Sequence, residues 1–140
     1  MFIPTLLISS VWWVILVVII VIMAIWGGMI LFDNWRRSKY AMTISAKQFE
    51  EGKRKAQVID LRNDNDFKKS HIMGARNIPY VMLRQRYGEL RPDMPVFLYD
   101  EGETVSTHAA VFLHKHGYHR LYILKGGFAD WDGRTKASKY

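Results

Sequence analysis

The sequence predicts an α/β fold, a mostly parallel sheet with helices on both faces, preceded by one transmembrane helix. Three observations carry this. Short apolar runs of strand length, such as Val96-Phe97-Leu98-Tyr99, alternate with helix-length amphipathic stretches, the pattern of strands covered on both sides. The first 32 of the 140 residues hold no charged side chain, whereas all 20 Lys and Arg and all 13 Asp and Glu lie in the other 108. That second part has the length of one small domain.

The apolar segment comes first. Residues 6–32 include VWWVILVVIIVIMAIW. At about 1.5 Å per residue they span roughly 40 Å, more than the ~30 Å hydrocarbon core of a bilayer. Trp12 and Trp13 stand on one side, Trp26 and Trp35 on the other, as interfacial anchors do. A cleaved signal peptide needs a basic start, a shorter core and small residues at the cut, and none of these is present. Residues 1–5 are then a short extracytoplasmic terminus. Arg36, Arg37 and Lys39 follow the span and no cation precedes it, so the positive-inside rule puts the domain in the cytoplasm and the bilayer of the cell membrane among its partners.

Residues 33–42 read as a basic juxtamembrane linker. Ser45 and Gln48 have capping-box spacing and open a short helix ending near Gly52. Residues 57–61 read as a buried strand, 63–70 as a turn and short helix, and 80–87 as helical after Ile78-Pro79. Strand 96–99 leads through loop 100–103 to a helix over 104–116, with Ala109, Ala110, Leu113, Val105 and Phe112 inward and Gly117 as its stop. Residues 121–124 form another strand. Gly126-Gly127 then turns into a short helix with Phe128 and Trp131, and 135–140 remain as a tail.

The net charge of +7 favours an acidic neighbour. Because an apolar span precedes the basic part, that neighbour is read as anionic lipid rather than nucleic acid. The absence of cysteine excludes disulfides, thiolate nucleophiles and Cys-based metal sites.

Three ordered stretches resemble the rhodanese-like domain family: VIDLRNDNDFKKSHIMGARNIP (58–79), VFLYDEGETVSTHAAVFLHKHGY (96–118) and LYILKGGFADW (121–131). With the helix before them they define a domain over 43–134. The chain resembles in particular the membrane-anchored, single-domain members of Gram-positive bacteria. In the family a loop Cys carries a persulfide, stabilised by backbone N–H groups and an Arg. The resemblance places Asp100 where that Cys stands, Val105 where the Arg stands and Glu103 at the expected Gly, with Gly102 one residue earlier, while Ser106 keeps its place. The loop Asp100, Glu101, Gly102, Glu103, Thr104, Val105, Ser106 is therefore expected to be a degenerate active site, with no catalytic residue, cofactor or metal. Asp60, Arg62, His71, Gly74, Gly126, Gly127 and Trp131 are expected to be structural, Arg62 pairing with Asp66.

Other chemistry for the loop remains open. Asp100 with Thr104 partly resembles an aspartyl-phosphate site but lacks the second Asp. Asp100, Glu101, Glu103 and His108 are oxygen-rich enough for a metal. An acidic helix start can simply cap the helix, or it can recognise a basic segment of a membrane-associated protein. His114, His116 and His119 are expected to face solvent. The expected function is a catalytically inactive binding or regulatory module at the cytoplasmic face; the rival is an enzyme of unrecognised, metal- or Asp100-dependent chemistry.

Overall fold

A computed structural model describes residues 3–137, apart from the side chains of a few residues in the first helix. The chain divides into two units, 1–36 and 37–140. Helix α1 covers Ile3–Tyr40. Its part Leu7–Trp35, 29 residues, is long and apolar enough to cross a membrane. Its large apolar side chains are exposed on every side, as suits a helix solvated by hydrocarbon. The segment expected to be a linker is helical as far as Tyr40. The Arg36 and Arg37 side chains invoked for orientation, and residues 1–2 and 138–140 of the expected termini, lie outside the described residues.

In the second unit the order is β1 (Met42–Ile44), α2 (Ala46–Gly52), β2 (Gln57–Asp60), α3 (Asp64–Lys69), β3 (His71–Ile72), β4 (Arg76–Asn77), α4 (Leu83–Arg86), β5 (Val96–Tyr99), α5 (Thr104–Lys115), β6 (Leu121–Leu124) and β7 (Thr135–Lys136). The main sheet runs β1-β6-β5-β2-β4, and every neighbouring pair is parallel. β3 and β7 form a separate antiparallel pair, so Thr135 and Lys136 belong to the fold rather than to a tail. β1, β3, β4 and β7 have two or three residues each, too few to show a period in sequence.

The central strands alternate between two cores. Ile59, Leu98 and Ile123 face one side, with Ala109, Ala110 and Leu113 of α5 packed on them. Val58, Phe97, Tyr99 and Leu124 face the other, where Phe49 of α2, Ile72 and Trp131 cover them. Side chains of period two on a sheet buried on both faces produce this division. Each fully buried large apolar side chain contributes about 1.5–3 kcal/mol, and Phe49, Ile59, Leu98, Leu113 and Ile123 are among them.

Local signals place the helices. Ser45 Oγ accepts from Gln48 N at 3.2 Å, and Ser45 N donates to Gln48 Oε1 at 3.0 Å, closing the expected capping box. Helix α5 ends before Gly117, whose φ of +94° suits a glycine stop.

Candidate functional site

The parallel sheet delivers the ends of β2 and β5 side by side, with Asp60 opposite Tyr99 in register. Asp60 is completely buried and Arg62 nearly so. Arg62 Nη2 donates to Asp60 Oδ2 at 2.8 Å, its Nε lies 3.2 and 3.1 Å from the two Asp60 oxygens, and its own N–H donates to Asp60 Oδ1 at 2.8 Å. Nη2 also donates to the Ser70 carbonyl at 2.6 Å, and Nη1 reaches Glu101 Oε2 at 3.4 Å. The guanidinium lies 4.0 Å from the centre of the Phe128 ring. The expected Arg62–Asp66 pair does not form, because the guanidinium folds back onto Asp60. The backbone N–H of Asp66 is bound by Asn63 Oδ1 at 2.8 Å, the cap of α3. Burial by itself disfavours the Arg62 charge. The Asp60 hydrogen bonds and charge outweigh it, and the pKa lies above its ordinary value.

Asp100 follows β5 and is 6% exposed. It is not a surface charge. Its Oδ2 accepts from Val105 N at 3.3 Å, and its Oδ1 accepts from Ser106 N at 3.2 Å and from Ser106 Oγ at 2.5 Å. The carboxylate thus caps α5 from upstream, whereas Glu103, at the formal cap position, makes no side-chain cap bond. Two orphan N–H groups at the start of α5 are satisfied by the chain itself. Glu101 and Gly102 are exposed, Glu103 and Val105 half-buried, Thr104 exposed and Ser106 buried. The Glu101 carboxylate lies at the rim, bonded to Arg62.

The glycine pair closes the loop from below. Gly127 has φ +64°, and a Cβ there would lie 2.5 Å from Glu101 O and clash also with Gly102 O. Phe128 N donates to Asp100 O at 2.8 Å and Ala129 N to Glu101 O at 3.1 Å. Gly127 is therefore needed for close backbone approach as well as for the turn.

The remaining motif residues sit in the fold around the loop. Gly74 takes φ +92°. The His71 ring stacks on Phe67 at 3.8 Å, and its Nδ1 donates to Phe67 O at 2.8 Å. Trp131 meets Phe49 edge to face at 5.7 Å. Two contributors were missed. Asn77 Nδ2 donates to Asp60 O at 3.1 Å and Arg62 O at 2.9 Å. Tyr99 Oη accepts from Ile72 N at 3.1 Å. Asn77 lies within the quoted Asn-Ile-Pro stretch and could have been singled out there; Tyr99 carried no signal beyond its place in an apolar run. Burial pushes the Tyr99 phenol well above its usual pKa, and the nearby Asp60 carboxylate pushes it the same way.

Beside the loop lies an open cleft of about 370 Å³, lined largely by Leu61, Pro79, Tyr80, Val81 and Val105 with Glu101 and Asp66 among its polar residues. His108 is exposed on α5. Among the described residues no group of three or more His, Asp and Glu lies close enough to hold a metal ion. His116 and His119 are exposed, but His114 is half-buried between Tyr40, at 4.9 Å, and His119, at 5.1 Å. His114 thus departs from the solvent-facing position expected of it.

The family model of the rhodanese-like domain matches residues 45–134. The chain is 48% identical over 97 residues to an uncharacterized protein of Bacillus subtilis, YqhL, covering 69% of this chain and 77% of that one. It is 33% identical over 75 residues to the thiosulfate sulfurtransferase GlpE of Shewanella oneidensis, covering 54% of this chain and 74% of the enzyme. A rhodanese-related protein of Thermoplasma volcanium has a similar structure, with a TM-score of 0.64 at 22% identity over 68% of this chain and 97% of that one; at this identity the likeness is one of fold.

Proposed function

This chain belongs to the rhodanese-like domain family, and on that premise we propose that it is a membrane-anchored member without sulfurtransferase activity, its folded unit serving as a binding or regulatory module at the cytoplasmic face. One observation carries the reading. The Asp100 carboxylate occupies the N–H groups of Val105 and Ser106 at the start of α5, where an anionic reacting group would need donors. A persulfide requires a thiol, and the chain has no cysteine. An Asp100-dependent enzyme finds less support, because this carboxylate is buried and already holds three hydrogen bonds.

The decisive assay is thiocyanate formation from thiosulfate and cyanide by the purified full chain. The rate should equal that of the blank, and a rate above it would overturn the proposal. Orientation is tested with protease added to intact cells, which should spare the folded unit; digestion from outside reverses the topology.

The partner is a basic segment of a membrane-associated protein. The apolar cleft suits one of its apolar side chains, and the exposed Glu101 carboxylate with the half-buried Asp66 at the cleft suits an adjacent cation. Exposed ion pairs are worth only about 0–1 kcal/mol, so these charges tune specificity and encounter more than affinity. Glu101→Gln with Asp66→Asn should reduce co-purification of partners with the full chain while leaving Asp100 and its cap intact. An unchanged partner profile would rule the cleft out as the binding surface.

A further inference from the structure

A second cavity, of about 500 Å³, is lined by residues of α2 and the turn after it, β2, the loop after β3 and the chain just before β7. The turn carries Lys53 and Arg54, and the β3–β7 pairing brings in Arg134, whose carbonyl accepts from Met73 N at 3.2 Å. The charges do not cancel. Lys53 Nζ lies 3.1 Å from Glu50 Oε2, which neutralises that pair. Arg54 and Arg134 have no carboxylate partner among the described residues. Two arginines without a carboxylate partner line one cavity, and their like charges favour an anion there.

The rest of the wall suits a small organic anion. Gly74 lines the cavity with φ +92° and with nothing within 4 Å of where a Cβ would stand, so its backbone can be approached closely. Its N–H has no acceptor among the described residues. Val58 and Met73 add apolar surface. We propose that this cavity binds a phosphomonoester dianion, with Arg54 and Arg134 as its cationic ligands and the open Gly74 backbone beside them. Two unpaired guanidiniums match the two charges of the dianion, and their planar donor forks fit phosphate oxygens. The group can come from a lipid headgroup or from a soluble phosphate ester; its chemistry is the same in both.

The test uses the full chain in phosphatidylcholine nanodiscs, titrated with inorganic phosphate at constant ionic strength and followed through backbone amide resonances. Phosphate should shift the Gly74 and Arg134 amides saturably. Loss of one charge-assisted guanidinium contact should weaken binding about tenfold or more in Arg54→Gln and again in Arg134→Gln. Lys115→Gln, an exposed cation on α5, should bind as the parent does. Both arginines are exposed, so the unchanged spectrum elsewhere verifies folding. Absence of a saturable shift, or equal weakening by Lys115→Gln, overturns the proposal. Nanodiscs containing phosphatidic acid and no added phosphate identify the source: the same amides move for a headgroup and stay in place for a soluble ester.

Discussion

Asp60 ends β2 and Asp100 follows β5, neighbouring parallel strands of one sheet, and both carboxylates are buried. They are compensated by different means. Asp60 faces a full charge, the Arg62 guanidinium, backed by Phe128 and the Ser70 carbonyl. Asp100 faces two backbone N–H groups and one hydroxyl at the start of α5. The first arrangement locks loops together, since Arg62 touches β2, the residue before β3 and the 100–103 loop. The second seals a helix start that would otherwise be available to an anion. A buried carboxylate at a strand end is thus no sign of catalysis until its partners are known.

Breaking the charged pair should have the largest effect. Arg62→Met leaves Asp60 buried without its counter-charge and should lower the unfolding free energy by about 3–5 kcal/mol, measured by urea titration of the full chain in detergent. Adding Asp60→Asn should restore part of the loss. If Arg62→Met costs less than about 1 kcal/mol, the hydrogen bond from the backbone N–H of Arg62 suffices for Asp60, and the contrast between the two sites disappears.

Asp100→Ala should cost less, about 1–2 kcal/mol, the usual loss for a helix cap. It should also free the N–H groups of Val105 and Ser106. Sulfate at constant ionic strength should then raise the unfolding midpoint of Asp100→Ala more than that of the parent. Equal responses would mean that the carboxylate does not occupy the anion position.

Tyr99 sharpens the Asp60 side of the comparison through pH. Burial holds the phenol proton in the fold, whereas the unfolded chain releases it near the ordinary tyrosine pKa of about 10. Stability contributed by neutral Tyr99 is therefore complete below pH 10 and lost as pH rises above it, by up to about 1.4 kcal/mol per pH unit for one proton. Alkaline titration of unfolding should be less steep in Tyr99→Phe by one such group. An unaltered slope would show that Tyr99 titrates normally.

Glu101 should matter least. Its contact with Arg62 is 3.4 Å and its side chain 65% exposed, so Glu101→Gln should change stability by no more than about 1 kcal/mol. A larger loss would make Glu101 part of the Arg62 network rather than of the rim.

The sequence by itself determined the elements long enough to repeat a pattern. The apolar span of α1, the central strands β2, β5 and β6, and helix α5 with its glycine stop were all legible, because periodicity and caps are local. The capping box at Ser45 and the glycine turn at 126–127 were legible for the same reason. That an acidic residue at a helix start can cap it was legible too, and Asp100 does so.

Tertiary structure decided the rest, because it depended on which strand ends lie together. The short strands β1, β3, β4 and β7 exist only through their partners. Three carboxylates within four positions became one buried cap, one rim residue paired with Arg62 and one half-buried residue. Arg62 chose Asp60 over Asp66 because the Ser70 carbonyl, Glu101 and Phe128 converge on the same guanidinium. A charged side chain takes its partner from the geometry that desolvates it, and that geometry is set by long-range strand pairing that no local pattern encodes.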